Sequence, residues 1–155
     1  MKLRIQQLMP GNALRIANEW RYPGEYSFYN MNQNQDNYAE FISSQERGNH
    51  YWQVTVSGVL IGFFEVKPTN KRGNYELKFG MVPASTGQGY GQSFVETVID
   101  FVRAHFHVSE LRMNIAKFNI RAQRVSLALG FTITRHYQQQ TNGHNSQFVE
   151  MKRQF

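Results

Sequence analysis

The amino-acid sequence predicts a mixed α/β fold: a single domain over residues 1–155, with a sheet of about seven strands and four helices on its faces. Its 155 residues suit one domain better than two. Hydrophobic residues make up 41% of the chain, which is enough for a core and too much for a disordered chain. The predicted strands outnumber the helices, and their order, β-α-α-β-β-β-α-β-α-β-β, is typical of a mixed sheet covered by helices.

The first part of the chain predicts one strand and two helices. Apolar and polar residues alternate over residues 3–8, which predicts a strand. Asn12 is a favoured helix cap and predicts a helix that runs to about Trp20. After an aromatic-rich loop at 21–30, Asp36 predicts the cap of a second helix.

Six further strands follow from runs of β-forming residues between turn residues. Residues 51–57 and 59–66 predict a hairpin hinged at Gly58, and Pro83 ends the strand at 75–82. The remaining predicted strands are 111–115, 131–137 and 147–152, the last two around a polar turn at 142–145.

Two more helices are predicted between those strands. Apolar residues recur at helical spacing over residues 94–102, directly after a glycine-rich segment. The other helix covers residues 121–129 and ends at Gly130, a residue that favours the left-handed conformation at a helix C-terminus.

Composition excludes several classes of protein. The chain has no cysteine, so it has no disulfides, no thiolate metal site and no cysteine nucleophile. No stretch approaches the roughly 20 apolar residues of a membrane span, and the N-terminus lacks the apolar run of a signal peptide, so we expect a cytoplasmic protein without a membrane partner. The net charge of +6 comes from scattered cations, which favours a solvated surface and an anionic small ligand over nucleic acid as the primary partner.

The most informative segment is the glycine turn, residues 86–91, which joins a predicted strand directly to a helix. Such a turn leaves main-chain N–H groups unpaired at the positive end of the helix dipole, a suitable site for a pyrophosphate. Glycine permits close approach of phosphate oxygens and positive φ. The alternative is a tight turn with no ligand. A Walker loop would need Gly-Lys-Ser/Thr where Gly91-Gln92-Ser93 stands, and a dinucleotide fold would place the glycines after the first strand.

The segment Thr86-Gly87-Gln88-Gly89-Tyr90-Gly91 resembles the acetyl-CoA motif Gln/Arg-x-x-Gly-x-Gly/Ala of the GNAT superfamily of N-acetyltransferases. Thr86 departs from the usual Gln or Arg. A second family pattern, Asn-x-x-Ala followed by Gly-Phe, matches Asn119 to Ala122 and then Gly130-Phe131. The order of elements along nearly the whole chain also resembles the family.

The resemblance implies a mostly antiparallel sheet whose fourth and fifth strands are splayed to admit the pantetheine arm. Acetyl-CoA is then the co-substrate. The main chain of Met81 and Val82 is expected to contact that arm, together with Asn119, for which a helix N-cap is the alternative role. The expected pyrophosphate contacts are Gly87, Gln88, Gly89, Tyr90, Gly91 and Gln92.

For catalysis, the resemblance suggests Glu76 on the fourth strand as the general base, with a solvated or paired carboxylate as the alternative. Relatives often carry a tyrosine acid four or five residues before Gly-Phe, and Ser126 stands there instead. Ser126 either donates a hydrogen bond to the leaving sulfur or packs on the sheet as a small residue. Residues 124–126 before Gly130 are similar to the branch of ribosomal-protein alanine acetyltransferases.

The acceptor pocket is expected in the aromatic loop between the first two helices, with Glu25, Tyr26 and Tyr29 as its candidate residues. The alternative is that these aromatics cover the edge of the sheet. The expected acceptor is a small-molecule amine or a peptide N-terminus, and the C-terminal strands could form a homodimer. A non-catalytic module that binds acyl-CoA or a protein partner on the same fold remains the second hypothesis.

Overall fold

The computed structural model describes residues 3–141 and 143–155 and has the predicted mixed α/β fold. The strands are Leu3–Gln7 (β1), Tyr51–Val56 (β2), Val59–Pro68 (β3), Asn74–Met81 (β4), Glu110–Ala116 (β5), Thr132–Thr141 (β6) and His144–Gln154 (β7). The α-helices are Pro10–Glu19 (α1), Gln35–Ile42 (α2), Ser44–Arg47 (α3), Gly91–His105 (α4) and Ile120–Ala128 (α5), with short 3-10 segments at Gly24–Tyr29, Met31–Gln33 and Pro83–Ser85.

The strands form a seven-stranded sheet in the order β1-β2-β3-β4-β5-β7-β6. Most pairs are antiparallel, and β4 pairs with β5 in parallel. None of the helices in the described part of the chain has the length and apolar character that a membrane crossing requires. Asn142 of the predicted polar turn lies outside the described residues.

The helix starts differ from two predictions. The helix α1 begins at Pro10 after Met9, because the fixed φ of proline suits the first helical turn. Asn12 therefore lies inside the helix, and its amide donates to Gln53 Oε1 at 2.9 Å. At α2 the cap is Asn34, whose side chain accepts from the Asn37 N–H at 3.1 Å, and the predicted cap Asp36 lies within the first turn.

The prediction of four helices missed the four-residue α3. Ser43 caps this helix by accepting from the Glu46 N–H at 3.2 Å. Its last residue, Arg47, is buried and donates to the Phe41 carbonyl and to Ser44 Oγ. A side-chain contact with the preceding helix therefore stabilises a segment that is too short to show a helical hydrophobic pattern.

The chain divides into two compact units. The first comprises the described residues up to Glu65 together with Phe79–Thr86, and the second comprises Val66–Lys78 and Gly87–Phe155. The single domain over residues 1–155 stays a prediction.

An aromatic cluster lies at the centre of the first unit. The Phe63 ring of β3 lies 6.0 Å from Trp20 and 5.4 Å from Phe41 between ring centroids. A Cβ atom at Gly80 of β4 would lie 2.5 Å from Phe63 Cε1, so the ring packs directly on this glycine. Glycine at this strand position is therefore a requirement of packing.

The second unit packs α4 and α5 against the sheet. Ser126 of α5 contacts Met113 of β5, and both are fully buried. Gly130 has φ +91°, which confirms the predicted left-handed C-cap of α5. The buried face of α4 consists of the apolar residues that predicted it: Phe94, Val95, Val98, Ile99 and Val102.

The parallel pairing of β4 with β5 is short. It comprises three residues on each strand, from Asn74 opposite Glu110 to Glu76 opposite Arg112. The register of β5 with β7 continues for the whole strand, up to Ala116. The pairing of the fourth and fifth strands thus ends at Glu76 and Arg112, in agreement with the predicted splay.

Candidate active site

The glycine turn has the backbone conformation that an anion site requires. Gly87 and Gly89 have φ of +72° and +83°, values that side-chain-bearing residues rarely adopt. At the start of α4 the N-cap residue Tyr90 makes no side-chain cap, and the first turn contains no acidic residue. The N–H groups at the start of α4 therefore have neither a side-chain cap nor a competing carboxylate.

The space around the glycines differs from one to the next. A Cβ atom at Gly89 would meet no atom within 4 Å, so the turn is open there. At Gly91 it would lie 3.4 Å from Val125 Cγ2, so the helix start packs closely on α5. Gln88 and Gln92 are exposed, which is required if their main chain is to contact a pyrophosphate as predicted. The residues present fit a phosphorylated ligand at this turn.

Arg121 is a residue of this site that the sequence analysis did not single out. A Cβ atom at Gly87 would lie 2.6 Å from Arg121 Nη1, which places the guanidinium directly against the glycine turn. A guanidinium is a strong ligand for phosphate. The available signal was a cation in the first turn of α5, two residues after Asn119.

Two other positions of the motifs have structural roles in this chain. The Asn119 side chain caps α5 by accepting from the Ala122 N–H at 3.1 Å, which is the alternative that sequence analysis left open. Its contact with the cofactor arm stays a prediction. Thr86 donates its hydroxyl to the Pro83 carbonyl at 2.7 Å and so stabilises the 3-10 turn before the glycines.

Main-chain groups of Met81 and Val82, the predicted pantetheine contacts, are partly engaged within the first unit. The Val82 N–H donates to the Ile61 carbonyl at 2.8 Å, and the Val82 carbonyl accepts from Ser85 at 2.9 Å. The Met81 carbonyl accepts from the Tyr22 hydroxyl at 2.6 Å. A contact between acetyl-CoA and these residues stays a prediction.

The aromatic loop is joined to β4 by that Tyr22 hydrogen bond, which sequence analysis did not foresee. Burial raises the pKa of Tyr22, so the phenol remains a donor. Glu25 is exposed in the 3-10 segment, Tyr26 is half-buried and Tyr29 is 38% exposed. The loop is therefore less buried than a core segment, and the acceptor role of these three residues stays a prediction.

Glu76, the predicted base, forms an ion pair. Its Oε2 accepts from Arg112 Nη2 at 2.9 Å, directly across the last residue pair of the parallel strands. Both side chains are partly exposed, at 38% for Glu76 and 32% for Arg112. The carboxylate is thus accessible to an amine or to a bridging water, although one oxygen is shared with the guanidinium.

Ser126, the predicted acid, has no exposed surface. Its hydroxyl donates to the Ala122 carbonyl at 2.8 Å and approaches Met113 Sδ at 3.6 Å. This geometry is that of the packing alternative, because a hydroxyl bonded to its own helix has its proton engaged. The acid role of Ser126 stays a prediction, and the structure does not support it.

A set of polar side chains lies on one side of β4–β7, and we call it the polar face. It comprises Glu76, Arg112, Asn114, Tyr137, Arg135, Glu150 and Lys152.

Tyr137 reaches across this face from β6 to β5. Its hydroxyl donates to Asn114 Oδ1 at 2.9 Å, and the Arg135 guanidinium lies 4.5 Å from the centre of its ring. Burial raises the pKa of Tyr137, and the carboxylates of Glu76 and Glu150 raise it further against the opposing charges of nearby arginines. Its phenol therefore stays protonated.

Residues 3–132 match the family model described as acetyltransferase (GNAT) domain. No curated protein sequence matches the chain.

Solved structures of acetyltransferases resemble the chain over nearly its whole length. A chimera of the spermidine N-acetyltransferase SpeG from Vibrio cholerae and hSSAT has a TM-score of 0.75 at 19% identity, covering 99% of this chain and 96% of that one. YncA from Salmonella typhimurium, a putative acetyltransferase solved with acetyl-CoA, has a TM-score of 0.67 at 19% identity, covering 98% and 93%. A putative phosphinothricin N-acetyltransferase has a TM-score of 0.72 at 12% identity, covering 99% of each chain.

Proposed function

The chain belongs to the acetyltransferase (GNAT) family, and we propose that it binds acetyl-CoA at its glycine turn and transfers the acetyl group to a small-molecule primary amine. It is an N-acetyltransferase with acetyl-CoA as its co-substrate. The observation that carries the placement of the site is the uncapped start of α4 behind Gly87 and Gly89, both at positive φ. Spermidine N-acetyltransferases among the similar structures support a small amine as the acceptor.

The cofactor is held mainly by the main chain in this proposal. Amides of residues 87–92 contact the pyrophosphate, and Arg121 adds a cation at the same turn. The proposed contacts of the pantetheine arm are the main chain of Met81 and Val82 and the side chain of Asn119. These contacts follow from the family resemblance together with the short parallel pairing.

Acetyl transfer also requires a neutral amine beside the thioester. We assign removal of the amine proton to Glu76, the exposed carboxylate at the end of the parallel pairing. Glu25, Tyr26 and Tyr29 are the proposed contacts for the acceptor in the first unit. A peptide N-terminus is the alternative acceptor, and it would agree with the similarity of residues 124–126 to ribosomal-protein alanine acetyltransferases.

Dimer formation is a separate part of the proposal. The strand β6 is at the end of the sheet order, and its pairing is with β7. Its residue Ile133 is 40% exposed, an apolar side chain on an edge that could pair with a second copy. Light scattering coupled to size-exclusion chromatography should give twice the chain mass. The mass of a monomer at the assay concentration would contradict the proposed homodimer.

Release of free CoA tests the enzyme proposal directly. The protein is mixed with acetyl-CoA and a panel of amino acids, polyamines and dipeptides, and the free thiol is measured against a blank without amine. We expect amine-dependent release with at least one class. Tight acetyl-CoA binding without release from any amine would instead favour the non-catalytic acyl-CoA-binding module.

A further inference from the structure

Two opposite charges lie side by side at the point where β4 and β5 stop pairing. Glu76 and Arg112 are the last pair of the parallel register, with 2.9 Å between Oε2 and Nη2, and both remain partly exposed. A surface ion pair of this kind contributes little to stability, on the order of 0–1 kcal/mol. Its position at the end of the strand pairing suggests a role in binding.

The Arg112 guanidinium has unused hydrogen-bonding capacity. It carries five N–H donors, of which one pairs with Glu76. Its Nε is buried and has no hydrogen-bond partner within residues 3–141 and 143–155, so the donors that a ligand can reach are N–H groups of the two Nη atoms, on a side chain that is partly exposed. Guanidinium groups bind carboxylates strongly, often through two parallel hydrogen bonds. Arg112 can therefore hold a second carboxylate while it remains paired with Glu76.

The rest of the polar face adds positive charge. Glu150 is shared by Arg135 at 3.4 Å and Lys152 at 3.7 Å, and it accepts from Thr134 Oγ1 at 2.9 Å. Burial would raise the pKa of Glu150, but this hydrogen bond and the neighbouring cations hold it below its usual value, so the group stays ionised. Three cations therefore face two carboxylates, an arrangement that disfavours a ligand carrying only positive charges.

We infer that the acceptor is a free amino acid, with its carboxylate on Arg112 and its amino group beside Glu76. An amino acid carries a cation and an anion one carbon apart, which matches the adjacent guanidinium and carboxylate in both sign and order. A polyamine offers no group for Arg112 and is repelled by the excess cations. This inference rests on the proposed function, because it names the substrate class of that same site.

The step is an ordinary acyl transfer. The neutral amine nitrogen attacks the thioester carbonyl, the C–N bond forms and the C–S bond breaks. Of the two protons that the original ammonium group loses, one goes to Glu76 and then to solvent, and one goes to the leaving sulfur to give free CoA.

Matched acceptors test the inference. CoA release is measured with L-amino acids, with their C-terminal amides and with spermidine. The amides keep the shape and the amino group and lose the negative charge; their amine is also less basic, so more of it is neutral, which works against the preference we expect. We expect kcat/KM to be at least about tenfold higher for the acids than for the amides, because a charged hydrogen bond is lost in the latter. Equal or higher values for the amides or for spermidine would overturn the inference and leave the acetyltransferase proposal intact.

Substitution of Arg112 then tests the residue. In Arg112→Gln the ratio of kcat/KM between an acid and its amide should fall at least about tenfold, and Arg112→Lys should keep part of it. The ratio is informative because any effect of the change on Glu76 applies to both acceptors and cancels.

Arg135→Gln is the matched control, since it removes one positive charge from the same face. Its acid-to-amide ratio should stay within about twofold of the original protein, as expected for an exposed charge. If the acid-to-amide ratio fell equally in both variants, the summed charge of the polar face would account for the preference for acids. Arg112 would then not be the residue that binds the carboxylate. No release with any acceptor would count against the proposed function itself.

Discussion

Gly87, Gly89 and Gly91 of the glycine turn lie in the second unit, as the polar face does, but the two sites are built in opposite ways. The turn presents main-chain amides, and its glycines at positive φ come from one stretch of six residues. The polar face presents side chains from four strands, and its central ion pair joins Glu76 to Arg112. A main-chain site tolerates changes in neighbouring side chains but no added bulk, whereas a side-chain site depends on the identity of each residue. The following predictions, from the largest expected effect to the smallest, test that difference.

Gly89→Glu should abolish acetyl-CoA binding. The new side chain enters the open space in front of the turn and brings a negative charge next to the phosphates. We expect the dissociation constant measured by calorimetry to rise at least about 100-fold, equivalent to about 3 kcal/mol.

Gly58→Glu is the matched control for backbone strain. Gly58 has φ +81° in the β2–β3 turn, and a Cβ atom there also meets nothing within 4 Å. This variant should lose a similar amount of stability and bind acetyl-CoA normally. Normal binding by Gly89→Glu would show that the site has been misplaced.

Glu76→Gln should lower kcat about 100-fold near neutral pH, the lower end of what general bases contribute. The deficit should shrink as pH rises, because the free amine then reaches the site already neutral. Glu110→Gln is the control, since Glu110 lies on the neighbouring strand with hydrogen bonds from Asn74 and Gln154. A deficit that stays constant with pH would give Glu76 a structural role only.

Arg121→Ala should weaken acetyl-CoA binding about tenfold, because one charge-assisted contact at the turn is lost. The loss should be smaller at high salt, where screening weakens the interaction. Arg124→Ala removes an exposed cation one turn further along α5 and should leave the affinity unchanged. Equal losses in the two variants would mean that net charge, not contact, matters at this turn.

Ser126→Ala should have the smallest effect, a change in kcat within about twofold. The hydroxyl is fully buried and bonded to the Ala122 carbonyl, so it is poorly placed to protonate a leaving group. Steady-state rates and thermal unfolding should be compared on the same preparations. A tenfold fall in kcat at unchanged stability would restore Ser126 as the acid.

Local patterns predicted much of the fold. The alternation in β1, the hairpin at Gly58 and the apolar stripe of α4 depend on residues close together in the sequence, and each is present in the structure. The errors came where several residues compete for one role. Asn12 and Asp36 are both good caps, but Pro10 and Asn34 begin their helices earlier.

The candidate site shows the same difference between residues with a local sequence pattern and residues whose role depends on distant partners. Gly87 and Gly89 were found from the sequence because their conformation is a property of the glycines themselves. The partners Arg121 and Arg112 were missed because nothing local distinguishes them from the other scattered cations. Ser126 lies at the expected spacing before Gly130, but spacing alone does not determine which group its hydroxyl donates to.

By itself, the sequence determined the order of strands and helices, the glycine turn and the family motifs, because hydrophobic periodicity and glycine conformation act over a few residues. Only the tertiary structure decided which charges meet. Glu76 and Arg112 are 36 positions apart and become neighbours through the register of two parallel strands. A shift of that register by one residue would turn one of them to the opposite side of the sheet, and no local pattern fixes it.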